Sequence, residues 1–382
     1  MLNFQFYQRT KVLYGDGAVG QLAELVTEVG GKKPLIVSDP GLAATGILEK
    51  VTAGLGDVPY VVYDGNEPNP PIRAVNEAYE IWKAEGCDLI IGVGGGSNMD
   101  CAKGVNIRRF NEGDILNYAN VPGCFDQGTG LIMIPTTAGT GSEVSDGSIL
   151  SDDNHIKQNF ISNGAFAEFA ILDPELMMGM PPKLTASTGI DALAHSIESM
   201  IGTLTNGFVQ FTAEKAIADI TKWLPLAVAD GSNKEARGKM AVCATQAGYL
   251  LVYGHTCAGH SIGQTVGGYF GIPHGTACGH CLPYVCEFNA PAVPELVKAV
   301  GENLGVQFSG AETPETIGAM VRDRLFTFIY EECKLPGPKE FPYDESKFEE
   351  IAEVISNEFF QNFNPRKMTP ADALEILKRM YA

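Results

Sequence analysis

The chain is poor in positive charge. Its 382 residues carry 27 Lys and Arg against 46 Asp and Glu, a formal net charge of −19. Such a balance repels phosphate backbones and anionic lipid, which argues against nucleic acid and membrane surfaces as partners. Long hydrophobic runs are also missing. Apolar runs such as residues 89–93 and 131–135 are strand-sized and far below the roughly 20 residues of a membrane helix. The opening stretch, residues 1–10, lacks the basic-then-apolar order of a signal peptide. Nine cysteines, an odd number scattered from Cys87 to Cys333, make no secreted disulfide framework. There is no internal repeat and no low-complexity tract. These absences lead to the expectation of a soluble cytoplasmic protein.

What is present is ordinary in amount, with 45% hydrophobic and 19% charged residues, and organised in two textures. The length exceeds what one hydrophobic core usually organises, so two domains are expected. In the first half, buried strands at 34–39, 58–64, 88–94 and 131–135 alternate with helix-like spacing at 41–54, 72–85 and 98–109. That alternation predicts a parallel sheet with helices on both faces, which takes its ligands at the carboxyl ends of the strands. Residues 177–183, with Pro181 and Pro182 adjacent, read as a linker. Beyond it the patterning is helical, at 188–202, 208–229, 234–253, 274–288, 294–304, 314–330, 344–356 and 370–381. The expected architecture is an α/β dinucleotide-binding domain over 1–180 and an all-α domain over 181–382, with the active site in the cleft between them.

Two polar turns follow buried strands. Gly94-Gly95-Gly96-Ser97 opens a helix, and glycine there lets a phosphate approach backbone N–H groups at the positive end of the helix. It is not the usual G-x-G-x-x-G fingerprint, and alone it is also a tight turn. Asp100 and Lys103, on the first turns of that helix, read either as cofactor neighbours or as a surface ion pair. The second turn, residues 135–143, carries Thr136, Thr137, Thr140 and Ser142, hydroxyls suited to a pyrophosphate or ribose. Asp39, closing an earlier strand, would accept bonds from a ribose and repel a 2′-phosphate, which favours NAD over NADP; it also reads as a turn residue.

Histidine is scarce, six in all, and four of the six fall between 255 and 280. Asp191 and His195 stand at i and i+4 on one helix face, and His260 and His274 come from later segments. One carboxylate and three imidazoles suit iron(II) or zinc with room left for substrate. Glycines and small residues crowd each histidine and let helices close around an ion. Any one of these histidines alone reads as a cap or core residue. Cys278-Gly279-His280-Cys281 has no second C-x-x-C to complete a zinc set and reads as small, half-buried helix residues.

Together these stretches resemble the iron-containing (group III) alcohol dehydrogenase family along nearly the whole chain. Residues 64–70, 94–103, 135–144, 173–174, 180–182, 188–195, 273–275 and 364–366 carry the likeness. The resemblance implies a dehydroquinate synthase-like architecture, a homodimer or larger assembly, and metal ligands Asp191, His195, His260 and His274. It places the pyrophosphate on Gly95, Gly96 and Ser97, with Asp39, Thr136, Thr137, Ser142 and Lys157 around the rest of NAD. It implies reversible NAD(H)-dependent interconversion of a small alcohol and its aldehyde or ketone with iron(II), zinc being also permitted. Ethanol, butanol, diols, lactaldehyde and anionic aldehydes all fit some member. The alternatives are a dehydroquinate-synthase-like lyase, for which the basic residues near the motifs are sparse, and a binding protein without catalysis. The chain departs from the family at two places. Gln264 stands where a proton-relaying histidine is common, and glutamine does not titrate; His255 is the residue that can take over, or else a cap. Residues 145–148 are also smaller and more polar than usual near the substrate.

Overall fold

The computed structural model describes residues 4–121, 130–154 and 156–382; Cys124 and the first three residues of the N-terminal stretch lie outside them. The chain divides into a sheet unit, Gln5–Thr137 with Gly141–Gly179, and a helical unit, Met180–Ala382 with Phe4 and Ala138–Thr140.

The sheet unit runs β1 (Lys11–Tyr14), α1 (Leu22–Glu28), β2 (Pro34–Val37), α2 (Pro40–Ala43), α3 (Ile47–Ala53), β3 (Val61–Tyr63), α4 (Ile72–Ala84), β4 (Leu89–Gly94), α5 (Gly96–Phe110), β5 (Leu131–Pro135), β6 (Gly147–Ser151), β7 (Lys157–Ile161) and β8 (Phe169–Leu172). Six strands form one all-parallel sheet in the order β1-β8-β5-β4-β2-β3. Side chains alternate across it, as the two-residue strand period requires. Leu35, Val37, Ile90 and Met133 meet α4 and α5 on one face, and Ile36, Ile91, Val93 and Ile134 meet α1 and α3 on the other. The expected α/β class is therefore present. The span 41–54 is two helices, broken at Gly46 in the left-handed region (φ 79°). The outer strand shrinks to three residues, and β1 and β8 are additions to the four strands read from the sequence.

Lys103 corrects the reading of an exposed ion pair. Its side chain is fully buried, and its Nζ donates to Ser145 O (3.0 Å), Ser145 Oγ (3.2 Å) and Gly147 O (2.7 Å). Burial pushes its pKa down, against the nearby Asp100. Ser148 Oγ donates to Asp100 O (2.8 Å). The polar segment 145–148 is thus tied to α5 as framework of the sheet unit.

The helical unit comprises α6 (Pro182–Ile201), α7 (Gly207–Ala229), α8 (Lys234–Gly254), α9 (Ala258–Phe270), α10 (His274–Asn289), α11 (Pro294–Asn303), α12 (Pro314–Phe326), α13 (Phe348–Asn357) and α14 (Pro370–Met380). The division between the units, after Gly179, falls within the span 177–183 read as a linker, and the double proline there begins a helix. Pro182 occupies the first turn of α6, where a missing N–H and a fixed φ favour helix initiation. Arg237 fastens that start, donating to Met180 O (2.8 Å) and Thr185 Oγ1 (2.7 Å). α6 is buried almost throughout and packs against α7, α8 and α10. Among the described residues no helix is long and apolar enough to cross a membrane.

Lys103→Met removes the only charged end of this clip and leaves buried carbonyls without their donor, so stability should fall by about 2–4 kcal/mol. A urea unfolding midpoint at neutral pH, compared with the parent chain, measures it; an unchanged midpoint would show that the clip holds nothing.

Candidate functional site

In the sheet unit the strand order fixes where a ligand belongs. The chain passes from β2 outward to β3, then crosses to the opposite flank of β2 to lay down β4. The boundary between β2 and β4 is therefore a topological switch point, the usual ligand crevice of an open parallel sheet. Asp39 and the Gly94–Ser97 turn stand at the carboxyl ends of those two strands. Asp39 caps α2, accepting from Leu42 N (2.9 Å), and its other oxygen accepts from Asn98 Nδ2 (2.5 Å). Asn98 in turn accepts from Asn66 Nδ2 (2.7 Å). This chain of amides orients the Asp39 carboxylate. Gly95 precedes the 15-residue α5 with no side chain capping its first N–H groups, which leaves a helix N-terminus suited to a phosphate.

The other sequence candidates scatter more. Thr136 N donates to Gly94 O (2.9 Å), so the two polar turns adjoin, and Thr137 Oγ1 faces Gly95, 3.4 Å from where a Cβ would stand. Thr140 groups with the helical unit. Ser142 Oγ donates to Asp100 Oδ1 (2.7 Å), and Asp100 Oδ2 accepts from Ile149 N (3.1 Å); both are engaged in holding the loop to β6. Lys157 opens β7, opposite Ser151 in the β6–β7 hairpin.

In the helical unit the four ligand candidates converge. Asp191 and His195 face the same way from α6, His260 comes from the first turn of α9, and His274 is the first residue of α10. The Nε2 atoms of His195, His260 and His274 lie 3.7, 3.7 and 3.6 Å from one atom, Asp191 Oδ1. These separations exceed hydrogen-bond length. They approach the edges, roughly 3.3–3.6 Å, of a tetrahedron whose centre lies ~2.0–2.2 Å from each ligand. Asp191 Oδ1 and His260 Nε2 are buried with no hydrogen-bond partner. Buried polar atoms are ordinarily paired, so the donor set fits a divalent cation. Burial works to raise the Asp191 carboxyl, but His195, His274 and His260 hold it well below the usual carboxylate range. Burial pushes His195 down to about 4. An ionised acid and a neutral imidazole are the forms that ligate. His274 is the open side, with 34% of its side chain exposed against 3–6% for the other three.

Close helix contact makes this possible. A Cβ at Gly275 would fall 2.2 Å from Ser187 O, and one at Gly259 would fall 2.4 Å from Glu198 Oε1. The glycines beside His274 and His260 let α10 and α9 reach α6.

Sequence reading missed Glu198, although it lies one turn beyond His195 on the same α6 face. It is fully buried and fully used. Oε2 accepts from Cys257 N (2.8 Å) and His260 N (3.1 Å), closing the start of α9, while Oε1 meets His260 Nδ1 (2.7 Å). A carboxylate there accepts the hydrogen bond from Nδ1–H and turns the Nε2 lone pair toward Asp191. Burial works against ionising Glu198, and its bonds to His260 and the α9 N–H groups lower its pKa overall. Gln264 donates its amide to Glu358, which also accepts from Ser261 Oγ (2.7 Å). His255 ends α8 in the left-handed region (φ 53°) with its ring stacked on Phe363 at 4.6 Å. Cys278, His280 and Cys281 are buried outright rather than half-buried. His280 Nε2 bonds Pro336 O (2.9 Å), a structural role, whereas Cys278 belongs to the group around Asp191.

Glu198→Gln keeps the shape but weakens the hold on the Nδ1 proton. Metal affinity should drop about 10–100-fold, read by competitive chelator titration; unchanged affinity would remove Glu198 from the centre.

The chain matches two family models over most of its length, "Iron-containing alcohol dehydrogenase" over residues 9–174 and "Fe-containing alcohol dehydrogenase family, C-terminal" over residues 185–381. It is 33% identical over 380 residues to alcohol dehydrogenase 4 of Schizosaccharomyces pombe, covering 98% of this chain and 88% of that protein. The solved alcohol dehydrogenase of Oenococcus oeni superposes with a TM-score of 0.94 at 30% identity, over 99% of this chain and 100% of that one. The sulfoacetaldehyde reductase of Bifidobacterium kashiwanohense, solved with NAD+, superposes at 0.88 with 26% identity over 100% and 99%. With both halves matched and a relative this similar along its length, the chain belongs to the iron-containing alcohol dehydrogenase family.

Proposed function

We propose that the protein is a metal-dependent NAD(H) oxidoreductase that interconverts a small primary or secondary alcohol and its aldehyde or ketone. The observation that carries this reading is the single Asp191 oxygen ringed by three imidazole nitrogens at 3.6–3.7 Å. Asp191, His195, His260 and His274 would hold a divalent cation, iron(II) first and zinc as a second fit. Bound there, the cation supplies Lewis acidity toward an alcohol or carbonyl oxygen, a capability no side chain of this protein offers. A nicotinamide dinucleotide supplies the hydride acceptor or donor.

The chain's own part is binding and orientation. Gly94, Gly95, Gly96 and Ser97 with the uncapped start of α5 receive the pyrophosphate. Asp39, held by Leu42 N and Asn98, takes the ribose hydroxyls and repels a 2′-phosphate. Thr136 and Thr137 offer hydroxyls beside them, and Thr140 is a further hydroxyl of the 135–143 turn. Glu198 keeps the proton on His260 Nδ1, and the exposed flank of His274 leaves room for substrate. The reading includes a homodimer or larger homo-oligomer in the cytoplasm. The lyase alternative is not favoured: both matched families are alcohol dehydrogenases, and Lys103, one of its few basic residues, is committed to internal oxygens.

The test is a panel of aldehydes with NADH, run anaerobically with iron supplied, alongside elemental analysis of the purified protein. Net NADH consumption that disappears on chelation and returns with iron or zinc is expected. Full activity in protein shown to be metal-free would sink the reading. Asp39→Gly should lower the preference for NAD over NADP, as a ratio of kcat/KM, by about tenfold, or ~1.4 kcal/mol. An unmoved ratio would place discrimination elsewhere.

A further inference from the structure

The group around Asp191 has a fifth member. Cys278 lies one turn after His274 on α10, with its Sγ 3.8 Å from His274 Nε2. That sulfur and one ligating atom each of Asp191, His260 and His274 all lie within 4.8 Å of one another. The thiol is fully buried. It reaches this place because α9 presents Gly263 to it; a Cβ there would stand 2.6 Å from the sulfur. Cys281 is turned elsewhere, donating to Gly259 O (3.1 Å) and Cys278 O (3.2 Å). Two further atoms of the same group, Asp191 Oδ1 and His260 Nε2, are buried, on residues 2% and 5% exposed, without a hydrogen-bond partner.

Resting on the reading of this centre as a metal site, we propose that Cys278 is a metal ligand for softer divalent ions: with zinc, its sulfur joins Asp191, His260 and His274 in a four-coordinate set, and His195 is the ligand that yields. Thiolate sulfur suits zinc, while the oxygen–nitrogen set with His195 suits iron(II). The metal–sulfur bond forms as the S–H proton passes to solvent. The centre thereby accepts two classes of ion through two overlapping ligand sets.

X-ray absorption at the zinc edge on the zinc-loaded full-length protein tests this. One sulfur at about 2.3 Å, with nitrogen and oxygen at ~2.0–2.2 Å, is expected. The sulfur shell should vanish in Cys278→Ala and persist in Cys281→Ala. Zinc bound by nitrogen and oxygen alone in the parent protein overturns the role of Cys278 and leaves the metal centre standing. A sulfur shell that survives Cys278→Ala overturns it as well. Protein that takes up neither zinc nor iron overturns both.

Discussion

The helical unit holds two buried acids from one face of α6, and the difference between them organises everything around them. An ionised carboxylate taken out of water costs several kcal/mol unless its lone pairs are met. Glu198 meets that requirement internally, with three N–H donors from the start of α9 and from His260. Asp191 does not. Three imidazole nitrogens stand 3.6–3.7 Å from its Oδ1, which makes no hydrogen bond. A satisfied buried acid is framework, and an unsatisfied one surrounded by lone-pair donors is a binding locus. The first acid also serves the second, because Glu198 sets which nitrogen of His260 faces Asp191.

Much of this was legible in the sequence, for reasons of spacing. The i, i+4 relation of Asp191 and His195 fixes a shared helix face without further knowledge. Glycines beside His260 and His274 announce close approach, and the structure uses them so. The same glycines hid α9, which carries Gly259, Gly263, Gly267 and Gly268 in 13 residues; local propensity disfavours a helix there, and packing overrides it. Glu198 was readable in principle, seven residues beyond Asp191, but its partners are backbone groups of a later segment that no local pattern reveals. Cys278 was hidden differently: its relevance depends on which way one thiol turns, and its near neighbour Cys281 turns the other way.

The sheet unit divides along the same line. Strands β2, β4 and β5 are continuous apolar runs and are visible as such. Their order is not, because periodicity says nothing about which strand lies beside which. Only the crossing of the chain from β3 over β2 to β4 makes Asp39 and the glycine turn neighbours at a switch point. The Asn66–Asn98–Asp39 chain across the carboxyl ends of those strands then turns a common turn residue into an oriented carboxylate. Asp100 is oriented likewise, its two oxygens accepting from Ser142 Oγ and Ile149 N.

Gln264 also has its role set by a partner from a distant part of the sequence. An amide donates a hydrogen bond at every pH and carries no proton that can be relayed. Gln264 and Ser261, both on α9, donate to the Glu358 carboxyl, which also accepts from Phe360 N. Burial nonetheless pushes the pKa of Glu358 up, the bonds from Ser261 Oγ and the backbone N–H groups of Phe360 and Phe359, with His260, opposing it. Of the three side chains in this cluster, only Glu358 exchanges a proton in the accessible pH range. Where resemblance to the family expects a titrating ring on the helix that bears His260, this protein has a fixed donor on that helix and a titrating carboxyl facing it. Gln264 thus keeps a hydrogen-bonded polar link at this turn of α9.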